Sequence, residues 1–356
     1  MTTCDERTVV GGVDCHSQVH HAAAIDGTGG RLGERAFPAT QPGYEQLLVW
    51  LRGYGPVTTV GVESTGSYGA GLTRYLLQAG VRVVEINQPH AHLRQRRGKT
   101  DAIDAEAAAR KVLSGEATSV PKETTGAVEA IRQLRLTRRS AVKARAGALR
   151  QLGDLIVTAP AKLRERLSRK TLPGQAAICA RFRPDRQRLA DPVQAAKLAL
   201  RTLARRIAAL DAEIAQLDAH LEQLVRATAP RTIALLGIGP QHAGQLLVTA
   251  GQNITRLHGE AAFAHLCGAD PIPASSGKTT RHRLNPGGDR AANSALHMIA
   301  VVRLRYCERT QKYAKRRIAE GRSKREILRC LKRYIAREVY RALCVDLAHL
   351  DMATAA

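Results

Sequence analysis

The sequence predicts an α/β N-terminal domain, a long helical coiled-coil middle and a mostly α C-terminal domain. Three observations carry this reading. Residues 1–120 set short apolar runs and helical periodicities in the order βββαβαβα; residues 193–224 hold an unbroken heptad seam; the remainder is amphipathic, helical and strongly basic. Domain boundaries of 1–120, 121–230 and 231–356 follow from these shifts in pattern.

Residues 8–14 and 20–26 read as two strands joined by a short polar turn, and residues 31–37 as a third, which makes a β-meander. A helical stretch over 44–51 precedes a strand at 58–63. A helix over 68–78 is stopped by Gly80, a strand over 81–86 follows, and a helix runs through 102–112. Such an order gives a sheet with one antiparallel half and one parallel half.

Four acidic residues sit at informative places in that layout. Asp14 ends the first strand and Glu63 the fourth, so pairing of the two strands brings the carboxylates together. Asp101 and Asp104 lie three apart in the first turn of the 102–112 helix and share one face. Each alone has an ordinary explanation, as a strand-end turn residue or as an acid favoured at a helix N-terminus. A carboxylate cluster fed from separate elements is how a protein holds Mg²⁺ for phosphodiester chemistry, and the four together point there.

Charge points to a polyanionic partner. The chain carries 55 Lys+Arg against 31 Asp+Glu, a formal net charge of +24. Residues 1–120 hold 12 basic and 12 acidic side chains, so the whole excess lies beyond them. A neutral catalytic module followed by a basic grip fits the dominance of phosphate attraction in non-specific nucleic-acid affinity. Aromatics are only 3%, which argues against base stacking as the main binding mode. No apolar run approaches a membrane span, and the first ten residues have no apolar signal core, so the expected location is cytoplasmic. Seven scattered cysteines with no CxxC pair argue for reduced thiols and against zinc or a disulfide framework.

In the middle region, Leu200, Leu203, Ile207, Leu210, Ile214, Leu217, Leu221 and Leu224 are spaced alternately by three and four. Asp191 with Pro192 starts that helix and Pro230 closes it. A second helical segment, about 128–156, carries Arg138 and Arg139 among several basic residues and is expected to follow a nucleic-acid backbone. The two helices either pair as an antiparallel hairpin or meet those of another subunit; the regular seam favours a partner helix over a globular core. Further on, residues 235–240 (LLGIGP) resemble the hairpin of a helix-hairpin-helix element, whose glycines let backbone amides approach a phosphate. The last helices, about 291–305 and 323–343, are basic, the second opened by a Ser323–Glu326 capping box.

Gly12-Val13-Asp14, Val62-Glu63-Ser64-Thr65-Gly66-Ser67-Tyr68 and Gly98-Lys99-Thr100-Asp101-Ala102-Ile103-Asp104-Ala105 resemble the RuvC-like DEDD domain of insertion-sequence transposases of the one-ten family. The segment from Cys267 to Arg290 resembles the second signature of the same family, in which a serine before a glycine is the nucleophile. Ser276 is the matching position, preferred over Ser275 because it directly precedes Gly277. The likeness implies a ribonuclease H-like fold, with Asp14, Glu63, Asp101 and Asp104 catalytic and coordinating Mg²⁺, two ions per site.

It further implies a site-specific DNA recombinase in which Ser276 forms a 5′-phosphoserine link, in a dimer or tetramer with a composite site, guided by a structured bridge RNA. Lys278, Arg281 and Arg283 supply positive charge to the phosphate under attack, and Arg290 is assigned to nucleic acid with them. Arg94, Arg96, Arg97 and Lys99, just before the Asp pair, either hold a phosphate beside the metals or form a solvated basic turn. Two rivals remain at this point: a metal-dependent junction nuclease acting through water, indifferent to Ser276, and a non-catalytic nucleic-acid scaffold.

Overall fold

The computed structural model describes residues 8–87, 100–278 and 282–355, with side chains up to 350. Two compact units emerge, one of residues 1–126 with 250–262, the other of residues 127–249 with 263–356. Among the described residues no helix is long and apolar enough to cross a membrane, and no disulfide forms.

The first unit is built on a five-stranded sheet. Its strands are β1 (Val9–Cys15), β2 (Val19–Asp26), β3 (Arg31–Pro38), β4 (Val57–Glu63) and β5 (Arg82–Ile86), in the spatial order β3-β2-β1-β4-β5. The meander is antiparallel, with Asp14 opposite His21, and the other half is parallel, with Gly12 level with Gly61 and Val13 with Val62. This is the half-antiparallel, half-parallel sheet that the element order predicts. All seven residues of β1 are buried, as expected for a central strand covered on both faces.

Alternation sorts the side chains cleanly. Odd positions Val9, Val13 and Cys15 join Val60, Val62 and Val83 under α1 (Gln41–Arg52) and α2 (Ala70–Gln78), where Leu47, Leu48, Leu51, Leu72 and Leu76 complete the core. Even positions face α3 (Asp101–Leu113), which meets Val10, Ile25, Val84 and Ile86 through Ala108 and Ala109. Helix α2 starts two residues later than its periodicity suggests. Ser64 turns the chain at φ 55° directly after β4, and its carbonyl accepts hydrogen bonds from the amides of Ser67 (2.8 Å) and Gly69 (3.1 Å).

Helix α3 lies unusually close to the sheet. A Cβ on Gly12 would stand 2.1 Å from the Ala105 carbonyl oxygen and 2.3 Å from the Ala109 amide nitrogen; one on Gly61 would meet Val112 Cγ2 at 2.8 Å and the Ala108 carbonyl at 3.0 Å. Two glycines level on adjacent strands thus make a floor, and the helix sets its small Ala105–Ala108–Ala109 face on it. Residues 250–262 return to this unit through Asn253, whose side chain accepts from the Glu123 amide (3.0 Å) and donates to the Pro121 carbonyl (2.9 Å).

The second unit is helical, with α4 (Gly126–Val157), α5 (Ala161–Ser168), α6 (Leu172–Cys179), α7 (Pro192–Thr228), α8 (Pro230–Ala234), α9 (Pro240–Ala250), α10 (Glu260–Leu266), α11 (Arg290–Tyr306), α12 (Glu308–Ala319) and α13 (Lys324–Ala355). As its sequence predicts, α7 is capped by Asp191, which accepts from the Val193 amide at 2.9 Å. Its heptad seam finds a partner within the chain: Arg138 pairs with Asp218 and Arg145 with Asp211, so α4 and α7 run antiparallel. Leu200, Ala204 and Ile207 are buried with Leu152 and Ile156 of α4 and with Leu163, Leu167 and Phe182. Leu210, Ile214 and Leu217 remain half-buried in mid-helix.

The glycine floor yields a sharp test. Gly12→Ala has to push backbone away, an overpacking cost of about 3 kcal/mol, whereas Gly66→Ala, with nothing within 4 Å of its Cβ, changes stability by less than about 0.5 kcal/mol. Trp50, the single tryptophan, lies in this unit and reports its unfolding alone in a urea titration followed by fluorescence.

Candidate functional site

At the C-terminal ends of β1 and β4, the strand alternation that sends Gly12 and Gly61 toward α3 sends Asp14 and Glu63 the same way. From the other side, Thr100 caps α3 through the Ile103 amide (3.3 Å) and places Asp101 and Asp104 in its first turn, where the helix dipole favours carboxylates. Asp14 and Asp104 are buried; Asp101 and Glu63 are partly exposed.

Electrostatics record the convergence. The Asp14 carboxyl is raised above its ordinary 3.8, first by burial and then by repulsion from Asp101 and Asp104, against the opposing pull of His16. Burial pushes the Cys15 thiol far up, with the charges of Asp14 and Glu63 adding to it from either side. Of the four expected acids, Asp14, Asp101 and Asp104 therefore act on one small region of the α3 face, while Glu63, at the end of β4, is felt at Cys15.

Two further side chains stand in that region. His16 Nε2 is 3.2 Å from Asp14 Oδ2 and 3.4 Å from Asp101 Oδ1, while His21 Nε2 is 3.4 Å from Asp101 Oδ2. Sequence reading missed both. The signal available was parity: His16 is two beyond Asp14 and His21 is its cross-strand neighbour, so all three share a face. A concavity of about 490 Å³ beside them is lined by His21, Glu34, Arg35, Thr100 and Asp101.

The donor atoms of Asp14, His16 and Asp101 all lie within 4.8 Å of one another, hard carboxylate oxygens with one imidazole nitrogen. That donor set fits a divalent metal ion.

The second group of predicted residues lies on one hairpin of the helical unit. Strands β6 (Ile272–Pro273) and β7 (His282–Arg283) pair antiparallel, and the loop leaving β6 exposes Ser276 and Lys278, with Gly277 in the left-handed region at φ 54°. Arg283 is exposed on β7. The base of the hairpin is clamped. Gly288 backs directly onto Gly268, where a Cβ would stand 2.3 Å from the Gly268 nitrogen, and Asn293 donates to the carbonyls of Cys267 (3.0 Å) and Gly268 (2.8 Å). Asn285 donates to the His265 carbonyl at 2.9 Å.

Beside this clamp is a concavity of about 390 Å³ whose lining includes Arg290, His297, Arg325, Arg329 and Lys332 and no carboxylate. Lys332 donates to Asn293 Oδ1 at 2.9 Å, and burial together with Arg329 holds its ammonium below the ordinary lysine value. A second concavity, about 520 Å³, is lined by Arg132, Arg135, Arg138, Arg139, Gln241 and Asp289. Arg138 is committed to Asp218 there, while Arg139 is exposed. Arg94, Arg96, Arg97, Lys99 and Arg281 lie outside the described residues.

The expected helix-hairpin-helix glycines sit between α8 and α9. Gly237 takes φ 84° and Gly239 is open, with nothing within 4 Å of its Cβ position. Asp346 of α13 holds this element by accepting from the amides of Arg231 and Thr232 (both 2.9 Å) and the Thr232 hydroxyl (2.7 Å).

Comparison with known families decides the identity. Residues 11–160, which contain all four acids, match the DEDD-type IS110 transposase model, and residues 233–315, which contain Ser276, match the model described as the transposase IS116/IS110/IS902 family. The chain belongs to the IS110 family of transposases. No curated protein matches it in sequence. The transposase is thus a DNA-processing enzyme that acts by phosphoryl transfer, and its N-terminal unit is of the DEDD ribonuclease H-like type.

The Asp14 shift sets a pH signature for the metal-free transposase. A raised folded pKa means the stability linked to Asp14 is fully present below 3.8 and lost as pH rises through the raised value. Asp14→Asn removes that penalty. Its unfolding midpoint, read by Trp50 fluorescence in chelator, is expected above wild type at pH 7, with the gap closing toward pH 3.5.

Proposed function

We propose that this transposase breaks and rejoins DNA through a covalent phosphoserine at Ser276, assisted by Mg²⁺ held on Asp14, Glu63, Asp101 and Asp104. The observation that carries the reading is an exposed serine on a clamped hairpin that also presents Lys278 and Arg283. A serine hydroxyl is a poor nucleophile until its alkoxide is stabilised, and neighbouring cations lower that cost.

In this reading the Ser276 hydroxyl gives up its proton as Oγ bonds to the phosphorus of a phosphodiester. The bond from phosphorus to the 3′ oxygen breaks, and that oxygen departs as a hydroxyl after taking a proton. Reversal of the same step, with the 3′ hydroxyl of another strand attacking the 5′-phosphoserine, restores the Ser276 hydroxyl and completes strand exchange. A divalent ion bound to the acids supplies neutralising charge for phosphoryl transfer. Asp14 and Asp104 hold their carboxylates in fixed positions because both are buried beside α3.

Phosphate affinity is assigned to the two basic concavities and the open Gly239 turn, with Arg139 and Arg290 in direct contact. A structured RNA is the proposed source of sequence choice, consistent with an aromatic content of 3% and a basic excess confined to residues 121–356. A dimer or tetramer is proposed on the half-buried Leu210, Ile214 and Leu217 of α7 and the exposed Leu136 and Val142 of α4.

The test is denaturing capture of protein-linked DNA from cells carrying the gene with its native flanks. Wild type is expected to give an adduct; Ser276→Ala abolishes it, Ser275→Ala retains it, and Asp14→Asn lowers it at least 100-fold. Strand cleavage without any adduct, lost only in Asp14→Asn, would instead establish a hydrolytic nuclease.

A further inference from the structure

We infer that His16 is a direct ligand of the metal ion held by Asp14 and Asp101, and that it makes this site bind Mn²⁺ in preference to Mg²⁺. The inference rests on the metal-site reading above and specifies the ion it selects.

The separations are those of ligands sharing an ion. Metal–ligand bonds of about 2.1–2.2 Å at right angles put neighbouring ligand atoms about 3.0–3.1 Å apart, and tetrahedral angles open this to about 3.5 Å. His16 Nε2 stands 3.2 Å from Asp14 Oδ2 and 3.4 Å from Asp101 Oδ1, inside that interval on both sides. One imidazole nitrogen therefore spans two carboxylates that arrive from a strand end and a helix start.

A purely structural role explains the arrangement poorly. The His16 side chain is 51% exposed and that of Asp101 43%, and ion pairs so wetted add little to stability. His16 closes the β1–β2 turn through its backbone amide, which donates to the Val19 carbonyl at 3.1 Å, and its imidazole takes no part in that bond. What its position does is present a nitrogen donor toward the same small space that the acids enclose.

The second oxygen of Asp101 is engaged as well, by His21 Nε2 at 3.4 Å. His21 is fixed opposite Asp14 in the β1–β2 ladder, so it acts as a positioning residue that turns Asp101 Oδ1 toward His16. Ligand chemistry then sets the preference. Mg²⁺ takes oxygen donors and gives up water reluctantly, whereas imidazole suits transition ions. Adding one nitrogen to a carboxylate site raises affinity for Mn²⁺ more than for Mg²⁺.

Mn²⁺ itself is the probe, bound to the full-length protein and read by pulsed electron paramagnetic resonance, with Mg²⁺ competition measured by calorimetry. Wild type is expected to show ¹⁴N coupling on the bound Mn²⁺. His16→Gln should still bind the ion but lose that coupling, with Mn²⁺ affinity down at least tenfold and Mg²⁺ affinity changed less than threefold. Bound Mn²⁺ that lacks ¹⁴N coupling in wild type, or keeps it in His16→Gln, overturns the assignment of His16. An unchanged Mn²⁺ to Mg²⁺ ratio overturns the claimed selectivity. The underlying site is checked separately by Asp14→Asn: if that variant binds Mn²⁺ as wild type does, the ion is not held at these acids.

Discussion

The close approach of α3 to the sheet is the constraint on which the N-terminal unit depends. Strand interiors normally disfavour glycine, which packs no side chain and is entropically expensive to order. Here Gly12 and Gly61 are level on adjacent parallel strands, and any side chain at Gly12 would overlap the α3 backbone. The loss in β propensity is offset by a helix lying almost in contact with the strands. Because Asp14 is two residues beyond Gly12, the helix that rests on the glycines also delivers Asp101 and Asp104 to it. Fold and site share one packing solution, and a shift of α3 by the width of a methyl group would move two of the four carboxylates.

That solution concentrates like charge, which opposes folding without a cation. Asp14 carries the cost visibly, its carboxyl raised by burial and by its two acidic neighbours. The dipole of α3 and the two histidines relieve part of it, since each places positive or donor character against Asp101 or Asp14. Such a strained, preorganised cluster is what a metal site requires, because acids relaxed apart would have to be gathered again on binding.

Much of this was legible in the sequence, and the exceptions have physical causes. The eight N-terminal elements follow from alternation and turn residues, and the nearness of Asp14 to Asp101 and Asp104 from their positions at element ends. Gly12 reads only as a weak strand residue, since its role lies in a helix nearly a hundred residues away. His16 and His21 were obscured because a histidine near a strand end has many ordinary explanations; only the register of β1 against β2 joins them to Asp14. The α7 heptad announces a seam but not what fills it. Its partner is encoded in charge: Arg138 and Arg145 are one heptad apart on α4, as are Asp211 and Asp218 on α7, and together they fix an antiparallel register. The return of residues 250–262 to the first unit has no local signal, resting on Asn253 meeting backbone more than 120 residues earlier.

The uneven charge follows from the chemistry at the acids. A phosphodiester is anionic, so the acids gathered around Asp14 repel it until a cation reverses the local sign. Residues 1–120, which hold these acids, are neutral overall, with 12 basic and 12 acidic side chains. In the second unit the concavity of Arg290, Arg325, Arg329 and Lys332 beside the Ser276 hairpin is lined by no carboxylate. There the sign is reversed: burial, and after it the charge of Arg329, holds the Lys332 ammonium below its ordinary value. Like charge is therefore crowded in each unit, acids around Asp14 in the first and cations beside Lys332 in the second.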